Sequence, residues 1–211
     1  MFQLAQPDLD TLLVKKQSPL AAPDLLKKAA IKLILERGFS GATLTPILKE
    51  AGLSKGAMFH HYESRDALMA AAYMHLLGRA MEADTAMAKS LQAGETTLEN
   101  FLEKIVARYR SETFVVTMEL AVAVRTRPEI LKASKGFPEW QKFQSSYWQK
   151  TFELPNKDPE QTAIHWDMLG YTLRGIGLRK MFGTEQKNNT LLATAIKTEF
   201  FSEAVVRPLT D

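Results

Sequence analysis

Residues 52–68 read GLSKGAMFHHYESRDAL, and this stretch decides the fold. Gly52 can adopt the positive φ that ends a helix, and Ser54 has a side chain that caps the next one. Ser64, followed by Asp66, gives a second helix start ten residues later. The pattern predicts a tight turn, a short helix 3 over about 55–62, and a long helix 4 after it.

Two predicted helices precede this stretch. Helix 1 begins near Pro23 and Asp24, carries apolar residues at the i, i+3, i+4 and i+7 spacing of one helix face, and stops at Gly38. Thr43 can cap helix 2, and Pro46 is tolerated in its first turn. Apolar side chains of helices 2 and 3 are spaced to pack on helix 1: Ile47, Ala51, Leu53, Met58 and Tyr62. Two short helices joined by this turn, both packed on helix 1, predict a helix-turn-helix unit.

The exposed face of helix 3 is predicted to consist of Lys55, Gly56, Phe59, His60 and His61. Residues 54–62 contain no acid, as expected of a segment that lies against phosphates. Lysine can reach a guanine edge or a phosphate, and phenylalanine can contact a thymine methyl. Glycine lets the backbone approach the DNA. These residues favour a helix that reads the major groove.

The charge of the chain is distributed unevenly. Residues 1–65 hold nine Lys and Arg against six Asp and Glu, whereas residues 66–211 hold eighteen of each. The whole formal excess of +3 therefore lies at the N-terminal end, as expected of a segment that binds a polyanion. The chain has no cysteine, which excludes disulfides and cysteine zinc sites. The N-terminus does not resemble a signal peptide, and no stretch approaches the roughly 18 apolar residues of a membrane span, so we expect a cytoplasmic protein.

Helical patterns also cover most of the remaining chain, with Gly and Pro between them. Asp158, Pro159 and Gln161 combine a capping box with a proline at the first helical position. No stretch shows sustained strand alternation. The predicted later helices cover about 97–124, 139–153, 159–181 and 189–206.

Residues 25–72, and above all the stretch 52–68, resemble the tetracycline-repressor (TetR) family. The resemblance implies an all-helical homodimer with a three-helix DNA-binding domain, a connecting helix 4, and a divergent ligand-binding domain whose last two helices dimerise. Thr45 and Leu48 depart from the family pattern, which usually has a basic residue and a small alanine there, so helix 2 is expected to make few base contacts. The positions implied to meet DNA are Thr43, Thr45, Lys55, Gly56, Phe59, His60 and His61, with Arg65 on phosphate at the start of helix 4.

The expected architecture is all-α in three segments. A flexible tail covers residues 1–22, a helix-turn-helix DNA-binding domain covers 23–70, and an α-helical ligand-binding and dimerisation domain covers 71–211. Dimerisation is expected through the helices at about 159–181 and 189–206. Small and apolar residues motivate this expectation: Gly170, Gly177, Leu192, Ile196, Phe200 and Val205.

The last segment also supplies large side chains for a ligand site. Most of them are expected to be core, but Tyr and Trp keep polar tips that can orient a ligand, and an arginine would favour an anionic group. The candidates are Tyr109, Met118, Trp140, Phe143, Tyr147, Met168, Tyr171 and Arg174. The expected partners are a double-stranded DNA operator, a small apolar or aromatic effector, and a second copy of the chain.

Two alternatives to an effector-responsive repressor remain. A DNA-binding protein with no small-molecule effector differs only in lacking a ligand site. A helical enzyme is suggested by residues 52–56, which match the G-x-S-x-G of hydrolases, but that motif needs a strand before the serine and here a helix precedes Ser54. The four histidines are not spaced as a metal site, and neither a metal nor a cofactor is expected.

Overall fold

The computed structural model describes residues 21–183 and 188–209, and its backbone is almost entirely helical there. The predicted tail over 1–22 therefore lies outside the described residues, apart from Ala21 and Ala22. The described elements, in chain order, are α1 Ala22–Gly41, α2 Leu44–Ala51, α3 Lys55–His61, α4 Arg65–Gln92, α5 Leu98–Tyr109, α6 Glu112–Thr126, α7 Pro128–Ala133, α8 Phe137–Thr151, β1 Phe152–Glu153, α9 Pro159–Met181, α10 Asn189–Phe200 and β2 Val205–Val206.

The all-α class is confirmed, and local signals set the first helices. Gly52 ends α2 with a left-handed φ of 66°. The Ser54 hydroxyl accepts the N–H of Ala57 at 3.1 Å, and the Ser64 hydroxyl accepts that of Ala67 at 3.0 Å. Each serine thus satisfies one N–H that would otherwise lack a partner in the first turn of a helix.

Two signals farther along the chain also act as predicted. Gly38, at φ 70° and ψ 170°, breaks the helical geometry of α1 three residues before its assigned end. At the start of α9 the carboxylate of Asp158 accepts the N–H of Gln161 at 2.8 Å, and the Gln161 side chain accepts the N–H of Asp158 at 3.2 Å. This reciprocal pair is the capping box.

Two helical predictions were too long. The pattern over 97–124 forms two helices, because the Ser111 hydroxyl accepts the N–H of Phe114 at 3.1 Å and starts α6 anew. The pattern over 189–206 ends at Phe200, and its last residues form β2, in which Val206 pairs antiparallel with Phe152 of β1. The short helix α7 was not predicted.

The described residues pack as two compact units. Unit 1 comprises residues 21–79 and 116–137, and unit 2 comprises 80–115, 138–183 and 188–209. Helices α4 and α6 each contribute to both units. The functional domain boundaries at residues 22 and 70 stay a prediction. Among the described residues, no helix is long and apolar enough to cross a membrane.

Unit 1 contains the predicted three-helix arrangement. Helix α1 packs against both α2 and α3. Its apolar face is buried as the spacing predicts, with Leu26, Ala30 and Ile34 inaccessible to solvent. Ile47 of α2 and Met58 of α3 are equally buried, so both helices are anchored by their inner faces.

Unit 2 has an aromatic core. Trp148 and Trp166 stack with their ring centres 5.9 Å apart and their planes at 18°. Phe101, Phe152 and Phe201 surround this pair. The residues expected to form a dimer face, Leu192, Ile196 and Phe200, pack in or against this core.

Candidate nucleic-acid interface

Helix α3 presents its outer face to solvent because its inner face is fixed. Met58 is fully buried against the rest of unit 1. Lys55, Gly56, His60 and His61 are exposed on the helix, as the sequence predicts.

Phe59 is the unusual member of this exposed face. Its side chain is 46% exposed, although a phenylalanine on a short helix would ordinarily be buried. The Lys55 ammonium lies 5.7 Å from the centre of the Phe59 ring, a weak cation–π arrangement. The rings of His60 and His61 meet edge to face at 4.9 Å. This face therefore combines an apolar ring with groups that can donate to phosphate or base edges.

Thr43 and Thr45 lie at the start of α2, and both are exposed. Thr43 occupies the cap position, but its side chain makes no capping hydrogen bond. The hydroxyl of Thr43 is thus not committed to holding the helix.

Arg65 differs from the exposed residues of α2 and α3, because its side chain is mostly buried. Its Nε donates to the carbonyl of Ala42 at 2.9 Å, and its Nη2 donates to the carbonyl of Phe39 at 2.6 Å. The guanidinium also covers the Phe39 ring, 4.5 Å from its centre. The side chain is only 19% exposed, and burial lowers the pKa of the guanidinium. The structure thus places the Arg65 guanidinium against the end of α1 and the residue that follows it.

The carboxylate of Glu119 is a functional candidate that the sequence did not indicate. It accepts the backbone N–H of Phe39 at 2.9 Å, from a position 80 residues farther along the chain. Arg127 and Asp66 form another long-range pair in unit 1, with Nη1 to Oδ2 at 2.9 Å. Neither pair could be predicted from neighbouring residues in the sequence, because both depend on how α6 packs against the first helices.

The eight predicted ligand residues divide between the two units. Phe143 and Tyr147 are neighbours in unit 2, with ring centres 5.3 Å apart. Met118 belongs to unit 1. Met168 and Tyr171 are 52% and 61% exposed on α9. The other three, Tyr109, Trp140 and Arg174, lie in unit 2, where Arg174 donates to the Gln144 side chain at 3.3 Å.

A buried polar cluster in unit 2 was also missed. Asp84 is 1% exposed, and its carboxylate lies 2.7 Å from Nε of Arg108. The Tyr147 hydroxyl donates to the Asp84 carbonyl at 3.0 Å. Burial raises the pKa of Asp84 to about 6, against the opposing effect of Arg108. The sequence did contain a signal for this cluster. Asp84 lies at helical spacing with Leu77 and Leu91, which are buried on α4, so it is expected to be buried too. A buried acid needs a charged or hydrogen-bonding partner.

The first helices of the chain match a known protein family. Residues 26–72 match the family described as bacterial regulatory proteins, tetR family. An uncharacterised HTH-type transcriptional regulator of Mycobacterium tuberculosis is 35% identical over 101 residues, which are 48% of this chain and 52% of that protein. The chain thus spans about half the length of the curated relatives it matches.

Two solved structures share the fold over most of the chain. The multidrug binding protein EbrR, complexed with ethidium, has a TM-score of 0.58 at 18% identity and covers 92% of this chain and 99% of its own. The transcriptional regulator FadR from Bacillus subtilis, in complex with stearoyl-CoA, has a TM-score of 0.58 at 14% identity and covers 85% of this chain and 97% of its own. At these identities the likeness concerns the fold alone.

Proposed function

Since residues 26–72 match the TetR family of bacterial regulatory proteins, we propose that the chain is a transcriptional regulator that reads operator DNA with α3. The observation that carries this proposal is the outer face of α3, which is free of acids and holds an exposed phenylalanine while Met58 fixes the helix from inside. An exposed phenylalanine on a helix that enters the major groove can make an apolar contact with a thymine methyl group.

The exposed residues divide into two roles. Lys55, Gly56 and Phe59 lie on α3, where they would face base edges in the major groove. Four other exposed side chains would hold the DNA backbone through hydroxyl and imidazole groups: Thr43, Thr45, His60 and His61.

The test uses a duplex selected by the protein from a random pool and an unrelated duplex of equal length. Phe59→Ala and Lys55→Ala should each weaken binding to the selected duplex by about 10-fold to 100-fold, the effect of one lost base contact. Binding to the unrelated duplex should change much less. Phe182→Ala and Lys104→Ala are matched controls, because both residues are exposed in unit 2. Absence of salt-dependent, sequence-selective binding by the unaltered protein would refute the proposal.

The effector is proposed to be a small apolar or aromatic molecule bound in unit 2, which would make the protein a repressor released by its ligand. Support comes from the aromatic side chains near Tyr147, and from the ligands of the two proteins of like fold. Met168 and Tyr171 are not proposed as ligand residues, because both side chains are largely exposed.

Ligand and DNA are proposed to compete through α4, which contributes to both units. In a dimer, two recognition helices must lie about 34–36 Å apart, or a multiple of this, to enter successive major grooves. A small tilt of α4 would alter that spacing, and linkage makes the antagonism reciprocal.

Thermal denaturation with ethidium, with stearoyl-CoA, and then with a wider apolar and aromatic library tests the effector. A ligand selective for the folded protein raises its melting temperature. A hit that does not itself bind DNA should bind more weakly when the selected duplex is present. Equal affinities with and without the duplex would exclude the competition, and no shift with any compound would favour a DNA-binding protein without an effector.

The protein is proposed to act as a homodimer through α9 and α10. Large apolar side chains exposed on the described parts of these helices include Ile164, Met168, Tyr171 and Leu191. On α9 the first three follow the i, i+4, i+7 spacing of one helix face. Leu192, Ile196 and Phe200, which the sequence suggested, pack in or against the core of unit 2, whereas Val205 is exposed.

A further inference from the structure

The segment that starts at the break in α1, Gly38, and leads towards α2 is held from two sides. Residues 38–42, which we call the Phe39 turn, contain Gly38 at a positive φ and the fully buried Ala42. The N–H of Phe39 donates to Glu119 of α6, and the carbonyl of Phe39 accepts from Arg65 of α4. Both polar groups of one peptide residue are therefore satisfied by side chains from two other helices.

Arg65 makes a second contact with the same turn through the carbonyl of Ala42. The planar guanidinium thus spans two carbonyl oxygens while it stacks on the Phe39 ring. A lysine ammonium has the same charge but cannot reproduce this fork. The role of Arg65 therefore depends on its shape as well as its charge.

The Phe39 turn is connected to the recognition helix through α2. It leads directly into α2, which the Gly52 turn connects to α3. Met58 anchors α3 from inside, and at the far end of α3 the Tyr62 hydroxyl donates a long hydrogen bond, 3.4 Å, to the carbonyl of Pro23. A displacement of the Phe39 turn would therefore shift α2 and, with it, α3.

We propose that Arg65 and Glu119 are positioning residues that clamp the Phe39 turn and so set the orientation of α3 for sequence-selective DNA binding. This inference rests on the proposed DNA-binding function. It assigns Arg65 a role other than a phosphate contact, and it gives α6 a part in DNA recognition.

Arg65→Lys separates the two roles of the arginine. An arginine that contacts phosphate acts on any DNA, so its replacement by lysine would change binding to the selected and the unrelated duplex alike. A clamp loses two charge-assisted hydrogen bonds, and we expect affinity for the selected duplex to fall at least about tenfold. Binding to the unrelated duplex should change by no more than about twofold, because the net charge is unchanged.

Glu119→Ala distinguishes a positioning role from a purely electrostatic one, because the two roles predict opposite changes in the affinity for DNA. Removal of an acid should by itself strengthen binding to any DNA. Loss of the clamp should instead weaken binding to the selected duplex by about tenfold, the effect of losing a hydrogen bond to a charged group. Glu119→Gln removes the same charge but keeps an oxygen that can accept the Phe39 N–H, so it should restore most of the affinity.

Glu129→Ala is the matched control, because this acid is exposed on α7 within unit 1. It should cause no loss of affinity. Circular dichroism would establish that each variant is folded, and hydrogen exchange of the 38–42 segment should be faster in Glu119→Ala than in Glu129→Ala.

The outcomes distinguish the inference from the function on which it rests. If the unaltered protein binds the selected duplex and Glu119→Ala behaves like Glu129→Ala, or if Arg65→Lys binds normally, the clamp is wrong and the DNA-binding function stands. If the unaltered protein binds no duplex selectively, both are overturned.

Discussion

Asp84 shows how a single buried acid can make stability depend on pH. Its carboxylate is nearly inaccessible, and Arg108 is its charged partner. Desolvation of the carboxylate outweighs the attraction of the guanidinium, so the pKa of Asp84 rises to about 6. The ionised form that dominates at neutral pH is therefore less favourable in the folded state than in the unfolded one.

We expect Asp84→Asn to remove the pH dependence that Asp84 gives to the free energy of unfolding. The unfolded pKa of an aspartate is about 3.9, so between pH 4 and pH 6 the folded protein binds more protons than the unfolded one. The stabilisation from this group is complete below the unfolded pKa and is lost as pH rises through the folded value. The free energy of unfolding of the unaltered protein, relative to the variant, should increase by up to about 3 kcal/mol from pH 7 to pH 4.

Urea denaturation followed by circular dichroism at both pH values measures this difference. The variant leaves Arg108 without its carboxylate, but that loss is the same at both pH values because arginine stays protonated. A difference that does not change with pH would contradict the assigned burial of a charge at Asp84.

At the scale of elements, α9 lies very close to the end of α5, and the point of closest approach on α9 is Gly177. A Cβ on Gly177 would overlap the carbonyl oxygen of Tyr109 and the ring of Phe114, with Cδ1 of that ring only 2.7 Å away. The obstacle is space and not backbone conformation, since Gly177 has no positive φ. The position of α9 in unit 2 therefore requires a residue without a side chain.

Gly177→Ala should accordingly destabilise the protein by about 1–3 kcal/mol, the usual effect of overpacking. Gly78→Ala is the matched control, because a Cβ there meets nothing within 4 Å and α4 is helical around it. Alanine favours a helix interior over glycine by up to about 1 kcal/mol, so this control should be slightly stabilised. Urea denaturation would give opposite shifts, and shifts of the same sign would contradict the close approach.

At the scale of the whole molecule, the exposed apolar face of α9 and α10 bears on assembly. Apolar side chains scattered singly on a surface need no explanation, but Ile164, Met168 and Tyr171 form a row along one helix. A two-fold axis would pair this row with its own copy and remove it from water.

Met168→Glu should weaken the proposed dimer, because it places a charge in the centre of the row on both protomers. Val122→Glu is the control, since Val122 is an exposed apolar residue of α6. Light scattering at micromolar concentration should report a dimer for the unaltered protein and the control, and a shift towards monomer for Met168→Glu. A monomeric unaltered protein would exclude this interface.

The sequence predicted most features that depend on neighbouring residues and did not predict the contacts between distant ones. The turns and caps at Gly52, Ser54 and Ser64 follow from local backbone chemistry, and the structure has them where expected. The Ser111 cap was overlooked because no glycine or proline marks that break. The contact of Glu119 with Phe39 has no local signature, because it exists only once the chain has brought together residues 80 positions apart.

The stacked tryptophans have a spectroscopic consequence. The chain has three tryptophans, at positions 140, 148 and 166, and all three lie in unit 2. Their ultraviolet fluorescence, excited near the red edge of the absorption band, therefore reports on unit 2. The helical ellipticity reports on both units. If the two units melt at different temperatures, the two melting curves will differ and give the order of melting without a label or an added probe.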